Sequence, residues 1–280
     1  MATTIKTKWL ATSLLMSGLA VNTTSWAADN SIYIQQSGDN STVSMTQDGA
    51  GNVVRGIQGV GTDNTTPALI VGNGNNVTVS QIGQGNTLDF GIQTSVQAGA
   101  TNGNTYNYTI SGNNSTAIID SNRDNRNSSA SNIVNVSQTG DYSNANVNVL
   151  GGLNNVSDTT VGGSHNSVVN TVNGNSNTQT VNVSNGGYNA ITVNQGVGGS
   201  AASSPALVTT NNNGSATVTV VGASNTVNVQ QTGSTNTTTV SLTGSSNTAN
   251  VNQNAVTGNT VVSLVSVGNG NQFTISSAAH

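Results

Sequence analysis

The chain alternates apolar and polar residues over short stretches, and these stretches are separated by turns rich in glycine and asparagine. In "NTVNVQQ", which begins at Asn225, the apolar positions are Val227 and Val229. Strict alternation with many β-branched residues is typical of a strand with one buried face. Glycine and asparagine tolerate the left-handed backbone that tight turns require. Each unit of about eleven residues therefore predicts one strand followed by one turn.

The clearest unit has the pattern Asn-x-apolar-x-apolar-x-Gln. It occurs at Asn30–Gln36, Asn52–Gln58, Asn75–Gln81, Asn132–Gln138, Asn189–Gln195, Asn225–Gln231 and Asn247–Gln253. A second unit ends in an apolar residue instead of glutamine, and it begins at Asn86, Asn104, Asn236 and Asn259. The two kinds of unit often follow each other, so two units predict a strand-turn-strand coil of about 22 residues.

The apolar side of one such coil cannot bury itself. Stacking coils at the strand spacing of about 4.8 Å gives two facing parallel sheets around a thin core. We therefore predict an all-β fold, a β-solenoid of about eleven coils. The predicted core stripe consists of Val77, Val79, Val134, Val136, Ile191, Val193, Val227, Val229 and Val251.

Stacking also gives a role to the amide side chains. When the same amide recurs in each coil, its NH₂ group can donate to an oxygen of the neighbouring coil, which satisfies a buried polar column. The predicted amide ladder consists of Asn30, Gln36, Gln47, Asn52, Gln58, Asn75, Gln81, Asn132, Gln138, Asn189, Gln195, Asn225, Gln231, Asn247 and Gln253.

The composition agrees with a thin repetitive core. Charged residues make up 5% of the chain and aromatic residues 3%, so a thick core of large side chains is excluded. Disorder is disfavoured because the chain has only two prolines and a net charge of -4. The absence of cysteine means that backbone pairing, rather than disulfides, must hold an exported form together.

The first 27 residues are predicted to be a secretory signal peptide. Lys6 and Lys8 precede an apolar run, and Ser25-Trp26-Ala27 forms a small-x-small cleavage site. A retained membrane anchor is the weaker alternative, because a span needs about 20 apolar residues. Residues 28–280 would then form the solenoid, with extruded loops near 94–103, 120–131 and 196–214.

Several kinds of chemistry find no support in the sequence. The two histidines, His165 and His280, have no carboxylate partner nearby in sequence, so we expect neither catalysis nor a metal site. No motif for a cofactor is present. Nucleic acid is excluded as a partner because the secreted part would carry three arginines against nine acidic residues.

At the level of letters, the chain resembles the curlin family. Gln47-x-Gly49-x-x-Asn52-x5-Gln58 is similar to the curlin repeat, with Val54 where the family prefers alanine. The turn half of that repeat is also similar to Gln81–Asn86 and Gln231–Asn236. This resemblance implies a secreted subunit of bacterial surface amyloid fibres, exported through an outer-membrane pore of Gram-negative type. The partners that it implies are further copies of the chain and a nucleating or co-assembling subunit.

The leading hypothesis is therefore a secreted, curlin-like fibre subunit of an extracellular matrix. A monomeric solenoid adhesin that binds a ligand through loops near Arg123 or Pro205 is the first alternative, and an ice-binding solenoid is another. An enzyme is the least favoured of these hypotheses.

Overall fold

The structure is a computed structural model that describes residues 30–57, 66–92, 101–121, 129–196, 211–255 and 259–279. The predicted signal peptide, Gln58, Arg123, Pro205 and most residues of the three predicted loops lie outside this part of the chain. The described ends of those loops, at 101–103, 129–131 and 211–214, return to the sheets as short strands and turns.

The described residues form strands and turns, and none of them belongs to a helix that could cross a membrane. The strands are β1 (Ser31–Ile32), β2 (Ile34–Ser37), β3 (Thr42–Asp48), β4 (Val53–Arg55), β5 (Ala68–Val71), β6 (Asn76–Ile82), β7 (Thr87–Ile92), β8 (Thr101–Asn102), β9 (Thr105–Ile110), β10 (Thr116–Ser121), β11 (Ser129–Ala130), β12 (Ile133–Gln138), β13 (Asn144–Leu153), β14 (Val156–Val161), β15 (Ser167–Asn173), β16 (Thr178–Ser184), β17 (Ala190–Gln195), β18 (Asn211–Asn212), β19 (Ser215–Val221), β20 (Thr226–Ser234), β21 (Thr237–Thr243), β22 (Thr248–Ala255), β23 (Val261–Val267) and β24 (Gln272–Ala279).

The strands build two sheets in which every described pairing is parallel. In sheet A the main order is β1-β4-β7-β10-β13-β15-β17-β20-β22-β24, with β2, β5, β8, β11 and β18 pairing beside it. In sheet B the order is β23-β21-β19-β16-β14-β12-β9-β6-β3. The chain passes from one sheet to the other after each strand level, so the molecule is a β-solenoid. The predicted fold class is confirmed.

Each coil consists of one level of sheet A followed by one strand of sheet B. Equivalent residues are 22 apart where both connections are short, as between Asn225 and Asn247. The separation rises to 37 between Asn177 and Gly214, because a long connection intervenes. The described strands form nine complete coils and a tenth level, β24, in sheet A. The described part of the chain therefore contains fewer than the expected eleven coils, because equivalent residues are up to 37 positions apart.

The two edges of the solenoid differ. Every internal gap in the described residues lies between a main-path strand of sheet A and the next strand of sheet B. The connections from sheet B to sheet A are all short, and we call their row the short-turn edge. Its turns lie at 49–51, 83–85, 112–114, 140–142, 163–165, 186–188, 222–224, 244–246 and 268–270.

Glycine is required in these turns because successive turns touch. At Gly244 the backbone φ is +120°, and an added Cβ would lie 2.0 Å from the carbonyl oxygen of Gly268 in the next coil. A side chain at this position would therefore strain the backbone and separate the two coils.

The core between the sheets divides into two apolar clusters. The first extends along the chain from Val43 to Val149, and the second extends from Val161 to Leu264. Between them lies a layer of buried polar side chains, which comprises Ser157, Thr159, Asn170 and Gln179.

Candidate functional site

A column of asparagine and serine side chains precedes the strands of sheet A. In each step the backbone N–H of one member donates to the side-chain oxygen of the member before it. The donor–acceptor distances are 2.9 Å from Asn225 to Asn189, and 3.0 Å from Asn247 to Asn225 and from Asn271 to Asn247. The column comprises Asn30, Asn52, Asn86, Ser115, Ser143, Asn166, Asn189, Asn225, Asn247 and Asn271.

The same side chains also hold the short turns. Asn225 Nδ2 donates to the carbonyl oxygen of Gly244 at 2.9 Å, and Asn247 Nδ2 donates to that of Gly268 at 2.9 Å. One asparagine therefore joins its own coil both to the following strand and to the following turn. Because these asparagines are buried, the bonds replace the water that the backbone groups would otherwise bind.

A second column precedes the strands of sheet B, and it follows the same rule. Asn155 N donates to Asn132 Oδ1 at 2.8 Å, and Asn177 N donates to Asn155 Oδ1 at 3.0 Å. Gly214 N donates to Asn177 Oδ1, but glycine has no side chain with which to continue the column. The last step differs, because the Thr260 hydroxyl, rather than its backbone N–H, donates to Asn236 Oδ1. The members are Ser41, Asn75, Asn104, Asn132, Asn155, Asn177, Gly214, Asn236 and Thr260.

The glutamines do not form one continuous ladder. In sheet B, Gln47 Nε2 donates to Gln81 Oε1 at 2.7 Å. In sheet A, Gln195 donates to Gln231 at 2.8 Å, and Gln231 donates to Gln253 at 2.9 Å. These two runs lie in opposite sheets and near opposite ends of the solenoid.

Two of the expected glutamines stand apart from both runs. Gln138 is separated from Gln81 by Ile110, which occupies the same position in β9. Gln36 pairs with Ile70. In both cases an apolar residue fills the place where a neighbouring amide was expected.

The residues of the predicted core stripe are divided between the two sheets, and all of them face the core. Val77, Val79, Val134 and Val136 face the core from sheet B, and Ile191, Val193, Val227, Val229 and Val251 face it from sheet A. All nine side chains are buried.

Sequence reasoning missed several column members because no glutamine follows them six residues later. They are Asn86, Asn104, Asn155, Asn166, Asn177, Asn236 and Asn271, together with Ser115 and Ser143. A shorter signal, Gly-x-x-Asn or Gly-x-x-Ser, would have found most of them, as at Gly163–Asn166 and Gly140–Ser143. The glycine forms the turn, and the polar side chain then begins the next strand.

Two buried tyrosines widen the core at β9. Tyr106 donates its hydroxyl hydrogen to Ser121 Oγ at 2.7 Å, and Tyr108 donates to Gln138 Oε1 at 3.2 Å. Burial raises the pKa of both phenols well above the usual value. Both side chains therefore remain neutral at physiological pH and act as packed hydrogen-bond donors.

Charged and catalytic side chains are sparse in the described part of the chain. Arg55 Nε pairs with Asp89 Oδ1 at 2.7 Å between adjacent coils of sheet A. Among the described residues, no group of three or more His, Cys, Asp or Glu side chains could hold a metal ion. His165 lies in a turn of the short-turn edge, between Tyr142 and Tyr188.

Comparison with known protein families gives one match. Residues 222–254 match the family model of the curlin associated repeat. This segment is therefore similar to a curlin associated repeat. The matched segment contains one complete coil, β20 and β21, and most of β22. It includes Asn225, Gln231, Asn236, Asn247 and Gln253, so the family pattern coincides with the columns that join the coils.

The remaining comparisons add no relative. No curated protein and no solved structure matches the chain. The match confirms the resemblance seen in the sequence, but it lies over the stretch that contains Gln231–Asn236 rather than over Gln47–Gln58. The matched repeat coincides here with a unit of stacking between coils.

Proposed function

We propose that this chain is a secreted structural subunit that assembles by cross-β stacking into extracellular curli-like amyloid fibres. Such fibres would contribute to biofilm matrix and surface adhesion. Residues 1–27 would direct export, and an outer-membrane pore would release the chain at the surface of a Gram-negative cell. The partners would be further copies of the chain and a related nucleating subunit.

The observation that carries this proposal is the open C-terminal end of the solenoid. No described strand pairs with the outer edge of β23 or of β24. Ile275 continues the buried column of Val229 and Val251, and Phe273 continues that of Val227 and Ala249, yet both are only partly buried. An open strand edge with an apolar core face beside it favours pairing with another chain.

The backbone at this end is oriented for a further coil. Thr248 N donates to the carbonyl oxygen of Asn271 in the next coil, at 2.8 Å. Gln272 is the register equivalent of Thr248 in β24, so its N–H group points away from the chain's own coils. At the other end, Ile32 and Ile34 are likewise half-buried against the core. Joining such ends is a head-to-tail contact that does not close, which produces a filament.

The proposal is tested by incubating the chain without residues 1–27 and examining it by electron microscopy and fibre diffraction. Filaments should form, with strands perpendicular to the fibre axis and a meridional reflection at about 4.7–4.8 Å. A chain that stays monomeric after days of incubation would contradict the proposal and favour the monomeric adhesin.

A proline substitution tests the role of the C-terminal edge. Gln272→Pro removes an N–H group that the subunit does not use internally, at the first position of a strand, where proline is tolerated. Filament growth should slow by about tenfold or more, because every junction needs this edge. Gln272→Thr introduces the residue found at the equivalent Thr248, and it should assemble like the parent chain. Normal growth of the proline variant, measured by dye-binding kinetics, would show that assembly uses another surface.

A further inference from the structure

Three aromatic rings stack on consecutive coils at the short-turn edge. The ring centroids of Tyr142 and His165 are 5.2 Å apart with an interplanar angle of 20°, and those of His165 and Tyr188 are 4.8 Å apart with an angle of 16°. Backbone bonds connect the same turns, since His165 N donates to Asp141 O at 3.0 Å. We call these three side chains the aromatic stack.

The backbone under the aromatic stack has an unfavourable conformation for large side chains. Tyr142, His165 and Tyr188 have φ values of 53°, 60° and 60°. Left-handed backbone is costly for such residues. The other turns of this edge have smaller residues in the same place, namely Gly51, Gly85, Asn114, Ser224, Ser246 and Gly270.

Burial does not account for these rings. Tyr142 is 56% exposed and Tyr188 is 68% exposed, so little apolar surface is removed from water. The turn itself is formed equally well by serine in later coils, as Ser224 and Ser246 show with φ values of 55° and 59°. Bulky residues in a costly conformation, with most of their surface in solvent, indicate a role in binding.

A groove with a volume of about 560 Å³ lies against the same edge, and its lining crosses three successive coils. Gly162–Gly163 and Gly186–Gly187 leave its floor free of side chains, while Thr139, Thr160 and Asn185 supply hydroxyl and amide groups. None of its lining residues is aspartate, glutamate, lysine or arginine.

His165 and Tyr188 of the aromatic stack belong to the lining of this groove. In the coil after Tyr188 the equivalent position is occupied by Ser224, whose N donates to Gly187 O at 2.9 Å. Among the described residues the aromatic stack therefore ends at Tyr188, and the ring face turned away from His165 meets no further ring.

The chemistry of the groove selects one class of ligand. A charged ligand would find no opposite charge among these lining residues. Their combination of apolar surface with hydroxyl and amide groups suits a ligand that is itself partly apolar and partly polar. A sugar ring has an apolar C–H face that packs on an aromatic ring, and hydroxyls around its rim that bond to hydroxyl and amide groups. We propose that this groove binds a neutral carbohydrate along the solenoid axis, with Tyr188 as the stacking platform and His165 as its neighbour.

Calorimetric titration of the chain with cellohexaose, chitohexaose and maltohexaose tests this site. At least one of the three sugars should bind. Tyr188→Ser and His165→Ser introduce the residue that the same turn position already has in Ser224 and Ser246, so the fold should be kept. Tyr188→Ser should raise the dissociation constant of that sugar about tenfold, because the main aromatic contact is lost.

Ile82→Ser is the matched control, since it removes an exposed apolar side chain outside the groove. Its dissociation constant should equal that of the parent chain. Circular dichroism of each variant verifies that the solenoid is intact. If none of the three sugars binds, or if an intact Tyr188→Ser variant binds as tightly as the control, the proposed site is wrong.

Discussion

At the scale of single residues, the asparagine before each strand joins one coil to the next. Asn225 Oδ1 accepts from both nitrogens of Asn247, at 3.0 Å and 3.1 Å, while its Nδ2 donates to Gly244 O. Both asparagines are fully buried. The backbone N–H of Asn247 therefore depends on this one side chain for its partner.

Replacing that asparagine should destabilise the fold far more than replacing an exposed one. Asn225→Ala leaves the buried Asn247 N–H unsatisfied and should lower the free energy of unfolding by about 3 kcal/mol. Asn228→Ala, in the same strand but exposed on the outer face, should change it by less than about 0.5 kcal/mol. Urea unfolding of the unassembled chain measures both, and equal effects would contradict the role of the column.

The buried tyrosines make stability depend on alkaline pH. Their pKa values are raised in the folded state, mainly by burial, whereas an unfolded chain ionises tyrosine near pH 10. Their contribution is therefore complete below about pH 10 and is lost as the pH rises above it, by about 1.4 kcal/mol per tyrosine per pH unit.

In the double variant Tyr106→Phe/Tyr108→Phe, stability should decrease less steeply as the pH rises into the alkaline range. It should be less stable than the parent at neutral pH, because Ser121 and Gln138 lose hydrogen-bond partners. The comparison therefore concerns the slope of the urea midpoint against pH, measured from about pH 8 to about pH 11.5. Identical slopes would mean that these two phenols ionise freely in the folded state.

At the scale of elements, β14, β15 and β16 interrupt the apolar core. Thr159 in β14 occupies the column of Val136, and Asn170 in β15 occupies that of Val147. Asn170 Nδ2 donates to Thr159 Oγ1 at 2.6 Å, whereas Asn170 Oδ1 has no partner among the described residues. A partly satisfied polar pair in a thin core costs stability.

Restoring the apolar columns should therefore stabilise the solenoid. In Thr159→Val/Asn170→Val both members of the pair become valine, as in the neighbouring coils, so no donor loses its acceptor. We expect the free energy of unfolding to rise by about 1–3 kcal/mol. Thr159→Val alone serves as the control, because it leaves the Asn170 amide without its partner and should destabilise. A double variant less stable than the parent would contradict this view of the layer.

At the scale of the whole molecule, the number of strands determines how copies can join. The described main path of sheet A contains ten strands and sheet B contains nine. If sheet A of one copy continued sheet A of the next, sheet B would lack one strand at every junction. Because both sheets use the same strand and turn units, a copy rotated by half a turn can place its sheet A beyond β23 instead.

Under the proposed assembly, successive subunits should therefore be related by a rotation of about 180° in addition to the twist of the solenoid. The axial rise should be about 45 Å, since nineteen alternating strands advance by half of the strand spacing each. Helical reconstruction from electron micrographs measures both values. A junction with an unfilled strand position in sheet B, or with a strand from another polypeptide there, would contradict the half-turn.

The sequence left particular contacts open, and the reason is the same in each. Asn75 and Asn225 begin units of identical pattern, yet β6 lies in sheet B and β20 in sheet A. The units have the same residue pattern, so the sheet to which each unit belongs depends on the connections between units. The aromatic stack was missed because Tyr142, His165 and Tyr188 are 23 residues apart and meet only when turns stack.

The sequence by itself determined the strands, the turns and the coil, because alternation, glycine placement and the eleven-residue period act over short distances. The all-β solenoid and its thin core of valine and isoleucine follow from those local rules, whereas the resemblance to curlins rests on particular residues such as those of Gln231–Asn236. Only the tertiary structure decided which units share a sheet, which amides touch, and which side chains meet along the short-turn edge. These are contacts between coils, and their register depends on pairing between residues that lie 22 to 37 positions apart.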